Sequence, residues 1–303
     1  MSQTQPISDR IGRFIRDRSA LSRLIVINSA IWLVINLIRV AAYLFQTPNT
    51  PLEDTWLLKI QEWLAVPAGF DLWISKPWTP VTYMFLHIDF WHLFFNMLWL
   101  YWFGKIFLEF LSNRKLWTVY IIGGLAGALS FMLAFNFFPA FETSLGYALA
   151  LGASASVLAI VVATAMMVPD YTVNLILVGQ VKIKYIALIT IVLDVFMLRS
   201  GNAGGHFAHL GGAIAGMLYI LAIRSKVMTG LPWISKLRIN WKFRRSRLKT
   251  VHTSSRPLTD EEYNARRVQN QKRIDGILDK IAKSGYKSLT EEEKEILFKF
   301  SNK

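Results

Sequence analysis

The chain has 303 residues, of which 53% are hydrophobic and 18% charged, with a formal net charge of +14. So apolar a composition excludes an ordinary water-facing globule of this size and makes a lipid bilayer the natural solvent. Cysteine is absent, which excludes disulfides and thiolate metal sites.

Residues 1–23, MSQTQPISDRIGRFIRDRSALSR, are polar and basic. They lack the apolar core and small-residue cleavage site of a secretory signal, so we read a basic cytoplasmic N-terminus and no cleaved signal. Six apolar stretches follow at about 24–45, 90–110, 116–138, 152–168, 181–198 and 205–224. Each approaches the roughly 20 residues needed to cross a hydrocarbon core of about 30 Å. The fourth is short because Pro169 closes it. The predicted fold is therefore an all-α polytopic membrane protein, a bundle of six transmembrane helices over 24–225. Between the first two stretches, residues 46–78 combine Trp56, Trp63, Trp73 and Trp78 with Pro48, Pro51, Pro67 and Pro77. That mixture predicts a structured interfacial loop anchored by aromatic belts.

Lys and Arg set the orientation, because segments rich in them stay in the cytoplasm. Arg10, Arg13, Arg16, Arg18 and Arg23, then Lys105, Arg114 and Lys115, then Lys182 and Lys184 fall on one side, and only Lys59, Lys76 and Arg199 on the other. Both termini are expected in the cytoplasm, with the bacterial inner (plasma) membrane as the location.

Residues 226–303 form a basic cytoplasmic tail. From Arg224 to Lys303 there are 20 Lys/Arg against 9 Asp/Glu, so 11 of the net 14 positive charges lie there. An excess placed directly after a membrane helix reads as a cytoplasmic feature rather than a nucleic-acid site, so no nucleic acid is expected. LRINWKFRRSRLKT, with Trp241 and Phe243 among its basic residues, suits anionic headgroups. A solvated linker obeying the charge bias is the equal alternative. Further on, Ile274, Ile277, Leu278 and Ile281 make an apolar stripe, Gly285 breaks the chain, and Thr290 with Glu293 makes a capping box. This predicts a helical hairpin that packs or docks a cytoplasmic partner.

Polar groups inside the stretches carry most of the functional information, because at membrane depth they are costly. The second stretch enters from outside near Phe90, so His92 lies in its first turn and Asn96 one turn deeper on the same face. The fourth enters near Gly152 with Ser154 in its first turn, and the sixth near Gly205 with His206 and His209 in its first two turns. All five groups fall within roughly 10 Å of the outer ends of their spans. Singly, such a serine reads as packing and a histidine or asparagine as helix glue; their convergence from three helices points to chemistry. A serine hydroxyl needs a neighbouring base to become nucleophilic, and a histidine both takes that proton and returns it to a leaving amine. His and Asn side chains can supply donors for a tetrahedral intermediate. Ala155, Ala159 and Ala163, and Gly205, Gly212 and Gly216, give small-residue stripes on the two facing stretches.

KPWTPVTYMFLHIDFWHLFFNMLWLYWFG, LGASASVLAI and GGHFAHLGGAIAG together resemble the rhomboid family of intramembrane serine proteases over about residues 20–225. The resemblance implies a Ser154–His209 dyad cleaving transmembrane protein substrates near the outer face of the bilayer. It also implies an oxyanion and substrate site of His92, Asn96, Gly152 and the Ser154 amide, with no cofactor. Ala155 stands where the family pattern has glycine after the serine, and Thr79 where arginine often follows Trp78. His87, Asp89 and His92 are close in sequence, but no His-Glu-x-x-His pattern exists, and no metal is expected. His206 is assigned no catalytic role. Asp194, near the outer end of the fifth stretch, reads as an interfacial carboxylate, the alternative being a third member that orients His209.

Two rival functions differ in class. A catalytically weak or inactive relative would bind transmembrane helices without cutting them, its usual mark being loss of the serine or histidine, both present here. A small polytopic transporter would spread ionisable groups along a path near the midplane, whereas here they gather at one end.

Overall fold

The computed structural model describes residues 17, 19–47, 51–175 and 179–225, together with 274–281, 283–285, 288–294 and 297. It divides into two compact units, Met1–Arg238 and Ile239–Lys303. The basic segment 237–250 and residues 1–16 and 18 lie outside the described residues.

In the first unit α1 spans Ala20–Phe45. Ser19 caps it, its hydroxyl accepting from the Ser22 amide at 3.2 Å. The expected interfacial loop is built of α2 (Leu52–Leu64), a two-residue strand β1 (Val66–Pro67), α3 (Phe70–Ser75) and the short α4 (Thr79–Thr82), which runs into a 3₁₀ turn at Tyr83–Phe85. Two of its tryptophans pack on each other: the Trp63 and Trp78 rings stack at 5.7 Å, and the Trp78 indole donates to the Trp63 carbonyl at 2.8 Å. Then come α5 (Phe90–Phe110) and α6 (Asn113–Phe137), a 3₁₀ segment, and β2 (Leu149–Ala150). β2 pairs antiparallel with β1, Val66 opposite Ala150. The unit closes with α7 (Ser154–Met167), the hairpin β3 (Thr172–Leu175) and β4 (Gly179–Lys182), α8 (Ile183–Phe196) and α9 (Ala203–Arg224).

Helix α7 is the centre of the unit. Every residue from Ala155 to Ala165 is buried, as expected for a helix apolar all round. α5, α6, α8 and α9 pack around it. The surrounding helices turn large apolar side chains outward, among them Leu33 and Leu37 of α1, Phe95 of α5, Leu188 and Phe196 of α8, and Leu218 of α9. Such a girdle suits hydrocarbon rather than water. By length and composition, α1, α6 and α9 are the helices able to cross a membrane among the described residues. α7 is apolar but only 14 residues long. At about 1.5 Å per residue it falls short of a hydrocarbon core of about 30 Å. The six predicted stretches each coincide with a helix, whereas three of those helices meet the measure of a full span.

Two helix starts differ from the sequence expectation for local reasons. The fourth begins at Ser154 rather than 152, because Gly152 has φ +115°, outside any right-handed helix. The fifth begins at Ile183 rather than 181, because Gly179–Lys182 is taken up by the hairpin, Thr172 pairing with Lys182. At the foot of that hairpin Asp170 accepts from Lys182 at 3.0 Å and Lys184 at 2.9 Å. Those two ammonium groups hold its carboxyl below the ordinary value.

In the second unit residues 274–281 are helical, with Ile274 and Ile277 buried. Leu278, assigned above to the same stripe, is instead exposed; it follows Ile277 directly, and neighbours in a helix point about 100° apart. Gly285 has φ +76°. The expected capping box is present: the Glu293 amide donates to the Thr290 hydroxyl at 3.3 Å, and the Thr290 amide to the Glu293 carboxylate at 2.7 Å. Lys280 bonds both Glu293 oxygens at 2.9 Å, linking the two halves.

Candidate active site

Small residues decide how closely the helices meet. A Cβ placed on Gly212 of α9 would fall on the Ala155 carbonyl of α7, and one on Gly216 on the Ala159 carbonyl a turn further along. The two backbones are therefore in contact, which is what small-residue stripes permit. Ser154 precedes Ala155 directly, and His209 lies three residues, nearly one turn, before Gly212. The same close approach therefore carries the first turn of α7 and the early turns of α9 together. α6 completes the contact through Gly127, where a Cβ would stand 2.5 Å from the Ala155 Cβ and 2.9 Å from the Ala208 carbonyl. Ala155 thus points its methyl group at a glycine. An alanine in that position fits.

The turn before Ser154 is held from a distant part of the chain. The Gly152 amide donates to the Tyr83 carbonyl at 2.9 Å. The Ala153 amide donates to Nε2 of His87 at 3.3 Å. Tyr83 and His87 are in turn fixed to the bundle: the Tyr83 hydroxyl donates to the Gly124 carbonyl at 2.5 Å, and His87 is fully buried. Nearby, the Tyr120 hydroxyl donates to the Met84 carbonyl at 2.8 Å. Two successive amides are therefore claimed, whereas the Ser154 amide, at the first position of α7, makes no hydrogen bond among the described residues. An unclaimed amide at a helix N-terminus is a ready donor to developing negative charge.

His92 lies against this turn. A Cβ on Gly152 would sit 2.6 Å from His92 Cε1 and 2.7 Å from Nε2, so glycine is required by both its φ and its neighbour. The His87 and His92 rings meet edge to face at 5.0 Å. Asn96, buried one turn below, donates through Nδ2 to the His92 carbonyl at 2.9 Å, leaving one amide proton for other use.

His209 is oriented by a carboxylate. Its Nδ1 lies 2.8 Å from Oδ1 of Asp194, and Nδ1 of His206 lies 2.7 Å from the same oxygen. The expectation of an interfacial carboxylate for Asp194 is corrected here. The residue is only 5% exposed, because α8 turns it toward His206 and His209 of α9. The three ligand-type atoms all lie within 4.8 Å of one another. Separations of 2.7 and 2.8 Å are hydrogen-bond lengths. The Ser154 hydroxyl is half-buried and makes no hydrogen bond with the His209 ring among the described residues. Such contacts are often loose before substrate arrives.

Sequence reasoning had named Ser154, His209, His92, Asn96 and Gly152, and the structure brings Gly152 against His92 and sets the helix ends bearing Ser154 and His209 side by side. It had discounted Asp194, although an ionisable group inside an apolar stretch is functional by default. His87 it had weighed only as a metal ligand. Residues 75–226 match the Rhomboid domain family, half of the chain. The chain belongs to the rhomboid family. Residues 259–303 of this rhomboid match a second family, one of unknown function (DUF6576). No curated protein matches the chain. Rhomboids are integral membrane proteins, in general intramembrane serine proteases acting on transmembrane substrates, with inactive homologues among them.

Proposed function

We propose that this rhomboid is an intramembrane serine endopeptidase in which Ser154 attacks the scissile carbonyl and His209 is its general base. The observation that carries the reading is the backbone contact of α7 with α9 at Ala155 and Gly212, which sets a hydroxyl and an imidazole at neighbouring helix ends. In the proposed sequence His209 takes the Ser154 proton as Oγ bonds to the carbonyl carbon, and the carbonyl oxygen gains the negative charge. The Ser154 amide, His92 and the remaining Asn96 amide proton are the donors available to that oxygen. His209 then gives its proton to the leaving amine, and water hydrolyses the acyl-enzyme by the same exchange. Against the inactive-homologue reading stand the presence of both Ser154 and His209 and the room that Gly127 leaves beside the Ala155 methyl group. A fluorophosphonate probe tests the reading directly. It is expected to label the purified wild-type chain and leave Ser154→Ala unlabelled; an unlabelled wild type, or equal labelling of both, would overturn it.

The same reading places six spans in the bilayer, with both termini and the tail from residue 226 in the cytoplasm of a bacterial cell and the site near the outer face. The Lys/Arg asymmetry supports this. A reporter that is active only in the cytoplasm, fused after Lys303, is expected to be active, and the same reporter inserted near Trp63 silent. The opposite pattern would invert the topology.

A further inference from the structure

We propose that Asp194 is a positioning residue for the reaction, holding His209 as an Nδ1–H donor so that its Nε2 carries the free lone pair that serves as base; the inference rests on the Ser154–His209 reading above. An ionised carboxylate only accepts hydrogen bonds. Oδ1 of Asp194 is approached by Nδ1 of His209 at 2.8 Å and Nδ1 of His206 at 2.7 Å, so both rings must donate from Nδ1. A neutral imidazole that donates from Nδ1 has its lone pair on Nε2, at the opposite side of the ring. The other tautomer would present a proton to Ser154 and could not act as base. The buried negative charge also stabilises the imidazolium formed once His209 has taken the proton.

The arrangement fits a positioning device better than a packing contact. Asp194 comes from α8, whereas both histidines come from α9, one turn apart at positions three residues removed. A single carboxylate oxygen thus fixes two successive turns of the helix that carries the base. Asp194 Oδ2 is buried without a partner among the described residues. A carboxyl proton on Oδ1 could serve only one of the two rings, whereas an ionised carboxylate accepts from both, so the ionised form is the one the paired 2.7 and 2.8 Å contacts suit. His206 is the second donor that keeps Oδ1 turned toward α9, and Asp194 touches no substrate atom itself.

The test uses the full chain, purified in detergent, with a fluorogenic substrate containing one transmembrane segment. Asp194→Asn preserves shape and is expected to lower kcat by about 100- to 10,000-fold, the range that general acid–base catalysis supplies, with KM and thermal stability unchanged. Spectra of ¹⁵N-histidine protein on a Ser154→Ala background are expected to show His209 protonated at Nδ1 and bare at Nε2, and to show a mixture of tautomers after Asp194→Asn. Full kcat in Asp194→Asn, a loss that tracks thermal stability, or a His209 protonated at Nε2 with Asp194 in place would each overturn the inference. The two proposals fail separately. A wild type with no turnover and no probe labelling removes the protease reading, while the spectra still decide whether Asp194 fixes the tautomer.

Discussion

Replacing Ser154 by alanine is expected to lower cleavage by about 10⁶-fold, the order of loss seen when a serine nucleophile is removed from a hydroxyl–imidazole pair, and His209→Ala to lose about as much. Because the two side chains act as one unit, the double variant is expected to be no worse than either single one. Folding is expected to survive. The Ser154 hydroxyl is half-buried and makes no hydrogen bond among the described residues, so its removal leaves no orphaned partner and should shift stability by no more than about 0.5 kcal/mol. Kinetics of the three purified variants against one substrate settle the matter. Turnover by Ser154→Ala above about one per cent of the wild-type rate is far more than loss of the nucleophile permits and would remove the assignment.

The second large effect is expected at Gly212. A Cβ there would fall on the Ala155 carbonyl oxygen, which belongs to the backbone of α7 and cannot swing aside. Gly212→Val must therefore push α9 away from α7. The cost of such overpacking is typically about 1–3 kcal/mol and at times more. Displacing one helix end also separates the Ser154 hydroxyl from the proposed base His209, and misplacement by about 1 Å is enough to cost roughly 100-fold in rate. Gly146→Ala is the control, since nothing lies within 4 Å of a Cβ added there. The expected pattern is a lower melting temperature and no turnover for Gly212→Val, with both unchanged for Gly146→Ala. If Gly212→Val kept wild-type turnover, the α7–α9 contact would not be what seats the pair.

What was legible in the sequence followed the physics of each feature. Apolar stretches mark membrane helices because burial in lipid or core demands them, and all six coincide with helices. Motif residues in first turns were also legible, because helix periodicity turns spacing into depth. The edges were less so: the start at Ser154 depends on the positive φ of Gly152, and the start at Ile183 on strand pairing with residues around Thr172, neither of which periodicity reports. Residues 46–78 were legible as ordered but not as α2, β1 and α3, since their order comes from stacking and from pairing with β2. Asp194 and His87 were misjudged for one reason. Their contacts are with other elements, Asp194 across to α9 and His87 to an amide 66 positions away. Local pattern is silent about such partners.

The turn ahead of Ser154 has a consequence for the order in which the molecule is assembled. Its anchors at Val66, Tyr83 and His87 all precede α5 and α6, so two whole helices lie between the turn and the groups that hold it. Contacts of that separation return nothing until a long loop has been closed, which makes them slow to form. The hydroxyl, the claimed amides and the Ser154 amide beside them therefore acquire their arrangement only after α5 and α6 have docked. A growing chain that has exposed Ser154 but not yet closed the bundle carries the proposed nucleophile in an untrained state, and on that reading the finished fold doubles as the safety catch on its own chemistry.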